Sequence, residues 1–226
     1  MLYALRRPIA LLGLVLAFGL ALTIRAVAIR VVQRQRAPVG WGTARHGGGR
    51  FVDPKRDIDI FGAVAAVVGG TGWGKKVDGV GVRPAPVRVL LAGPVSVLVA
   101  SQLAFLSYLF SGADPIQLRF VNASDVLHGY APGTSIQAFL HSLAVGLLCF
   151  GLLALVPLPP LDGWGLLRHA VRRPGTGFQK ATYWLEEQNV GIAILLVGML
   201  LPLLSSVPLF LYLLDLVTAP VLLLWS

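Results

Sequence analysis

Long apolar runs separated by short polar stretches dominate the pattern along this chain. A helix rises about 1.5 Å per residue, so about 20 apolar residues are needed to cross a hydrocarbon layer about 30 Å thick. Four runs reach that length and predict transmembrane helices at about 8–29, 87–110, 135–156 and 190–214. A fifth stretch at 60–68 is too short to cross alone and predicts a half-helix or re-entrant piece.

The first run also has the features of a signal peptide, because Arg6 and Arg7 precede it and Ala26-Val27-Ala28 has the form of a cleavage site. Cleavage there would leave Arg25 close to the cut, and the later runs already commit the chain to a membrane. We therefore interpret the first run as a retained transmembrane helix.

The composition excludes an ordinary soluble domain. Hydrophobic residues make up 56% of the 226 residues and charged residues 13%, with a mean hydropathy of +0.76. The net charge of +9 does not indicate nucleic-acid binding, since the cations stand between apolar runs rather than among aromatic residues. The single cysteine, Cys149, permits no disulfide within the chain. We expect an all-α polytopic membrane protein that forms one domain over 1–226.

Basic residues concentrate in the polar stretches within 30–88 and 158–189, whereas 111–134 has one arginine against two aspartates. Because positive charge favours the inner side of a membrane, we expect 30–88 and 158–189 to be cytoplasmic. Aromatic and basic residues alternate at 164–173 and 178–188, which predicts segments that lie at the membrane interface.

Glycine-rich pieces with β-type residues occur at 39–56 and 72–88. Asp78-Gly79 within the second piece is a two-residue hairpin signal. The pattern predicts a small β-sheet at the cytoplasmic rim of the helices.

Four short motifs, in order along the chain, resemble those of the site-2 protease family of intramembrane zinc metalloproteases, in particular its short bacterial branch. The segment 155–163 (LVPLPPLDG) resembles the end of that family's N-x-x-P-x-P-P-L-D-G signature. The segments 53–62 (DPKRDIDIFG), 72–75 (GWGK) and 92–96 (AGPVS) resemble N-P-x-x-H-I-D-P-x-G, G-W-A-K and A-G-P-x-S-N. The resemblance implies the family's fold and a location in a bacterial plasma membrane.

The family's zinc site is degenerate in this sequence. Its members have H-E-x-x-H on the first conserved helix, where two histidines bind zinc and the glutamate acts as general base. Here Arg25, Ala26 and Ile29 stand at those three positions. The aspartate of L-D-G is the third ligand, and Asp162 is the one ligand position that survives. The resemblance therefore implies no catalytic residue, no bound metal and no cofactor.

No histidine pair elsewhere in the sequence replaces the lost ligands, since none of the four histidines is followed by another at helical spacing. His141, in the third run, is either a functional polar group or a helix histidine with an internal hydrogen bond.

Arg25 and Asp162 are the two charged residues for which the resemblance implies a shared place. An arginine within a transmembrane helix usually faces the protein interior with a partner. One hypothesis is a structural ion pair between Arg25 and Asp162 that replaces zinc as the clasp between two helices. In the alternative, Arg25 extends to the membrane interface while Asp162 caps the proline-rich turn through backbone N–H groups.

The proline cluster must end the third helix, because proline cannot continue it. The extended stretch that follows predicts a groove for a partner's unwound transmembrane segment, formed by Pro157, Pro159, Pro160, Leu161 and Gly163.

Three functions remain open. The leading one is a catalytically inactive site-2-protease-like protein that binds or scaffolds within a membrane complex. The second is an active intramembrane zinc metalloprotease that cleaves single-span substrates, in which case zinc is the cofactor. The third is a transporter or channel component, although no internal repeat supports it. Expected partners are membrane lipid and other integral membrane proteins or single-span helices, and no nucleic acid.

Overall fold

The computed structural model describes residues 1–34, 57–77, 85–171, 174–201 and 208–226. These residues form helices joined by short loops and no strand, so the all-helical class is confirmed for this part of the chain. A 3₁₀ turn at Leu2–Arg6 precedes α1, and a π-helical turn at Tyr183–Glu187 follows α8 directly. The helices are α1 Pro8–Arg34, α2 Ile60–Gly69, α3 Val87–Phe110, α4 Gln117–Phe120, α5 Ala123–Leu127, α6 Ser135–Ala154, α7 Asp162–Ala170, α8 Thr176–Thr182, α9 Val190–Leu200 and α10 Leu209–Leu224.

Three of the described helices, α1, α3 and α6, are long and apolar enough to cross a membrane. They coincide with the first three predicted spans, and α1 continues to Arg34. They pack against one another as a bundle in which α3 runs antiparallel to α1 and α6, since Tyr108 near the end of α3 meets His141 near the start of α6. We call the end of the bundle with Arg34 and Ala154 the site end, and the opposite end the far end.

Glycines let α1 and α6 approach closely. A Cβ added at Gly146 would lie 2.7 Å from the Cβ of Ala17, and one at Gly13 would lie 2.7 Å from the backbone oxygen of Phe139. Small residues at a helix contact allow the backbones to approach, which is how apolar helices pack in the absence of a hydrophobic driving force. The backbones of α1 and α6 therefore approach closely at Gly13 and Gly146.

Helix α2 is short because both of its ends are specified locally. The Asp59 side chain caps the start by accepting a hydrogen bond from the Gly62 N–H at 2.9 Å. Gly70, with φ of 87°, ends the helix in the left-handed conformation that glycine adopts without a Cβ clash. The ten-residue helix matches the short apolar stretch predicted at 60–68.

After Gly70 the chain returns to the level at which α2 began. The Lys75 N–H donates to the backbone oxygen of Asp57 at 3.0 Å, and Gly74 forms an isolated antiparallel bridge with Ile58. We call residues 71–77 the return segment. The helix and the return segment together form a hairpin whose two ends meet at the site end.

The predicted fourth span at 190–214 is not one helix. Helix α9 ends at Leu200, Leu201 has extended backbone, and α10 begins only at Leu209. Two prolines, Pro202 and Pro208, interrupt the apolar run, and a residue before proline avoids the helical region. Hydropathy alone does not register this break. At 11 residues, α9 is a short apolar helix, and its Met199 packs against Gly69 of α2.

The predicted β-sheet is not found among the described residues. In the described part of the second glycine-rich piece, 72–77 contributes only the single bridge at Gly74, and 87–88 belong to α3. The piece at 39–56 and the hairpin signal at Asp78-Gly79 lie outside the described residues.

Candidate functional site: a buried arginine–carboxylate pair

The structure brings Arg25 of α1 and Asp162, the first residue of α7, into direct contact. Arg25 Nε donates to Asp162 Oδ2 at 2.9 Å, and Arg25 Nη2 donates to Oδ1 at 2.6 Å. The two residues are 6% and 2% exposed. Two parallel charge-assisted bonds between planar groups form the most specific kind of ion pair. The pair joins the first long helix to the segment that follows the third.

A third donor of Arg25 reaches the hairpin of α2 and the return segment, because Nη1 donates to the Lys75 backbone oxygen at 3.1 Å. Two glycines leave room for the side chain. A Cβ at Gly93 would lie 2.7 Å from Arg25 Cγ, and one at Gly74 would lie 3.1 Å from Nη1. The Arg25 guanidinium thus connects α1, α7 and the return segment. Gly93 of α3 leaves space for the aliphatic part of the Arg25 side chain.

Ala26 and Ile29, the other two positions that the resemblance aligns with the zinc motif, are buried and apolar. The Ile29 Cδ1 lies against Gly93 of α3, where an added Cβ would be 3.4 Å away. Neither side chain offers an imidazole or a carboxylate. The face of α1 that meets Asp162 therefore supplies the Arg25 cation, and its neighbours Ala26 and Ile29 supply apolar packing contacts.

The residues at this site do not fit zinc. A catalytic zinc site usually has three protein ligands and an open position. Within the described ranges, no group of three His, Cys, Asp or Glu side chains is placed to hold a metal ion. Both oxygens of Asp162 accept hydrogen bonds from Arg25, and a fixed guanidinium opposes a second cation beside it.

The residues predicted to form a partner groove are mostly covered by the chain itself. Pro157 is exposed, whereas Pro159, Pro160, Leu161 and Gly163 are buried. The Pro159 backbone oxygen lies against Gly191, where an added Cβ would be 2.7 Å away. A Cβ at Gly163 would be 2.1 Å from the Leu155 oxygen. Four of the five residues are therefore covered by other parts of the chain in this structure.

A small cavity adjoins the ion pair and is lined by residues that include Trp73, Ala154 and Pro160. Trp73 comes from the return segment, and its indole Nε1 is buried without a hydrogen-bond partner among the described residues. A buried N–H without a partner costs about 1–3 kcal/mol. The polar character of the site therefore extends beyond the pair to the return segment.

A second polar cluster centres on Glu186 in the π-helical turn. Glu186 Oε1 accepts from Lys76 Nζ at 2.7 Å and from Trp164 Nε1 at 2.8 Å. Arg168 Nη1 donates to both carboxylate oxygens, at 3.1 and 3.2 Å. Burial alone would raise the pKa of Glu186, but the bonds and charges of Lys76 and Arg168 and the bond from Trp164 bring the net pKa below its ordinary value.

The sequence reasoning missed this cluster. The available signal was the adjacent pair Glu186 and Glu187 near the end of a segment, 158–189, with more basic than acidic residues. A further acidic residue that was missed is Asp215 in the apolar helix α10. Its oxygens accept from the Ser124 N–H at 2.7 Å and the Ser124 hydroxyl at 2.6 Å, which fastens α10 to α5 at the far end.

His141 lies in the far-end half of α6, away from Asp162. Its ring is fully buried, 5.1 Å from that of Tyr108, and neither ring nitrogen has a hydrogen-bond partner among the described residues. The structure therefore places His141 outside the Arg25–Asp162 site.

Fold and site together define a helical protein with three membrane-length helices and a buried Arg–Asp pair at one end. The chain is similar to the "Putative zinc metalloprotease YwhC" of Bacillus subtilis (strain 168), with 30% identity over 173 residues. These residues are 74% of this chain and 72% of that protein. The chain therefore belongs to the same metalloprotease family. No family model and no solved structure matches it.

Proposed function

We propose that this protein is a catalytically inactive member of the site-2 protease family that acts as a binding or scaffolding subunit of a membrane complex. The observation that carries this proposal is the contact between Arg25 and Asp162. Asp162 stands where the family has its third zinc ligand, and a guanidinium occupies both of its oxygens. Ala26 offers no group that would accept a proton from water.

The four motifs that resemble the family converge on this contact. The motif at 155–163 supplies Asp162, and the motif at 72–75 supplies the return segment that accepts from Arg25. The motif at 92–96 supplies Gly93, which makes room for the arginine stem. The motif at 53–62 supplies Asp57, whose backbone holds Lys75. Four separate stretches that share one site support a common ancestry for that site.

In this proposal the ion pair performs the structural part of the metal's role. A metal ion would cross-link the helix of its histidines to the segment of its aspartate, and Arg25 makes the same cross-link through two hydrogen bonds to Asp162. A third hydrogen bond of Arg25 adds the Lys75 backbone oxygen. A paired and hydrogen-bonded buried charge is tolerated, whereas an unpaired one is costly. The clasp keeps the fold together without a bound metal.

The proposed setting is a bacterial plasma membrane, with 30–88 and 158–189 on the cytoplasmic side. The proposed partners are lipid and other integral membrane proteins or single-span helices. Pro157, the exposed member of the proline cluster, is the point at which a partner segment would first meet this stretch.

The alternative is an active intramembrane zinc metalloprotease that cleaves single-span substrates. The name of the Bacillus subtilis relative favours it, because that protein is described as a zinc metalloprotease. For this chain it would require Asp162 to leave Arg25 and to be joined by ligands that the described part of α1 does not supply.

A cleavage assay in lipid vesicles separates the two. Purified protein is mixed with a labelled single-span substrate, with and without added zinc, beside the variant Asp162→Ala. We expect the same background with wild type and variant. Zinc-dependent cleavage by wild type that is lost in Asp162→Ala would establish the alternative.

A further inference from the structure

A helical segment lies across the site end and is attached to it at few points. We call Thr176–Glu187, which is α8 together with the π-helical turn, the strap. None of its residues is buried. Tyr183 and Trp184 are 47% and 59% exposed. Segments with few buried contacts open locally at low free-energy cost, so the attachments that remain control its position.

Side chains of the strap contact α7 and the return segment at two places. The Phe178 ring stacks on the Trp164 ring, with centroids 5.8 Å apart and planes 15° apart. The other attachment is the Glu186 carboxylate, with its bonds to Lys76, Trp164 and Arg168. Glu186 stands in a π-helical turn, and such turns are rare and recur at functional sites.

Glu186 holds both walls of the Arg25–Asp162 site at once. Lys76 follows Lys75, whose backbone oxygen accepts from Arg25, so one bond of Glu186 secures the return segment. Trp164 lies two positions after Asp162 on α7, so another bond secures the wall that presents the carboxylate. The return segment and α7 are thus bridged by a single side chain of the strap.

From this geometry we propose that the strap is a latch that closes the Arg25–Asp162 site, with Glu186 as the positioning residue. While Glu186 holds Lys76 and Trp164, the return segment stays against α7 and its Trp73 stays in the buried apolar cluster that contains Leu161. When the carboxylate is released, the return segment loosens and Leu161 becomes accessible from that side. The idea that a partner then enters rests on the proposed function, but the latch itself does not.

Hydrogen–deuterium exchange of the full chain in lipid nanodiscs tests the latch. In Glu186→Ala we expect exchange in peptides from the return segment and from the start of α7 to rise by about tenfold or more, because both lose a charge-assisted bond. Glu187→Ala is the matched control, since Glu187 is the exposed neighbouring carboxylate, and should leave exchange unchanged. Peptides from the middle of α6 should not change in either variant.

Unchanged exchange at both walls in Glu186→Ala would overturn the proposal, as would an equal rise in Glu187→Ala. If Glu186→Ala does not fold, Glu186→Gln replaces it, because the amide keeps the shape and one acceptor oxygen but loses the charge. It should produce a smaller rise at the same two walls, and no rise would overturn the latch. Cleavage activity and zinc content do not enter the readout, so failure of the latch and failure of the proposed function are distinguishable.

Discussion

Removal of one partner of the Arg25–Asp162 pair should destabilise the protein far more than removal of both. The pair is buried and bonded at 2.6 and 2.9 Å. Breaking such a pair leaves an uncompensated buried charge and costs about 3–5 kcal/mol, whereas replacing both partners by apolar groups is often neutral or stabilising. We therefore expect Arg25→Met and Asp162→Ala each to lower the free energy of unfolding by about 3–5 kcal/mol.

The double variant Arg25→Met/Asp162→Ala should lie within about 2 kcal/mol of wild type, because no unpaired charge remains and what is lost is packing and the bond to Lys75. A coupling energy of several kcal/mol would follow from the cycle. Arg88→Met, which removes an exposed arginine of α3, is the control and should change stability by less than about 0.5 kcal/mol.

The chain contains its own unfolding probe for this cycle. Cys149 is the single cysteine and is fully buried in α6, so a thiol-reactive fluorophore reports its exposure as denaturant is added to protein in micelles. Single-variant effects below about 1 kcal/mol would mean that the pair behaves like a solvent-exposed ion pair. Additive effects in the double variant would mean that the two side chains do not interact. Either result would refute the account of the clasp.

Three further predictions concern the surroundings of the pair. Gly93→Ala should lower the free energy of unfolding by about 1–3 kcal/mol, because its Cβ would lie 2.7 Å from Arg25 Cγ. Gly19→Ala on α1 is the control and should not destabilise the protein, since no atom lies within 4 Å of its Cβ; equal effects of the two variants would contradict the close packing of Gly93 on Arg25. Asp215→Ala should cost about 1–3 kcal/mol by leaving the Ser124 N–H and hydroxyl without their acceptor, and an unchanged unfolding curve would exclude the role of Asp215 in fastening α10. Glu186 has a pKa below its ordinary 4.5, so its contribution to the free energy of unfolding is present above about pH 4.5 and is lost as the pH falls through the pKa of the folded state. The variant Glu186→Gln should lack this acid-dependent loss of stability, and parallel plots of stability against pH for wild type and variant would contradict the prediction.

The long helices could be predicted from the sequence because their determinant is local. A run of about 20 apolar residues specifies a membrane-length helix whatever surrounds it. The same rule failed at 190–214, because hydropathy counts Pro202 and Pro208 as small losses, whereas their backbone geometry ends a helix. The short helix α2 could be predicted from its apolar stretch, but the return of the chain to the site end depends on the pairing of Asp57 with Lys75.

The site was only partly open to prediction. Motif order pointed to Arg25 and Asp162 as neighbours, but two arrangements remained, and the choice depends on the space that Gly93 and Gly74 leave for the stem. The covering of the proline stretch could not be foreseen, since it depends on where Gly191 packs.

The Glu186 cluster could not be predicted from the sequence, because its members lie far apart along the chain. Glu186 lies 110 positions from Lys76 and 22 from Trp164, and Ser124 lies 91 positions from Asp215. No periodicity or motif spacing links residues at such distances. An acidic residue in a stretch that is mainly basic or apolar is the available signal, and it identifies the residue but not its partner.

The central claim is that a guanidinium has taken the place of a metal ion, and metal content tests it most directly. Zinc is measured per chain by elemental analysis of purified protein after a mild chelator wash. A variant in which Arg25→His, Ala26→Glu and Ile29→His are combined serves as positive control, since it places two imidazoles one turn apart opposite Asp162. We predict far less than one zinc per wild-type chain and a gain in the variant. Zinc near one per wild-type chain would contradict the account.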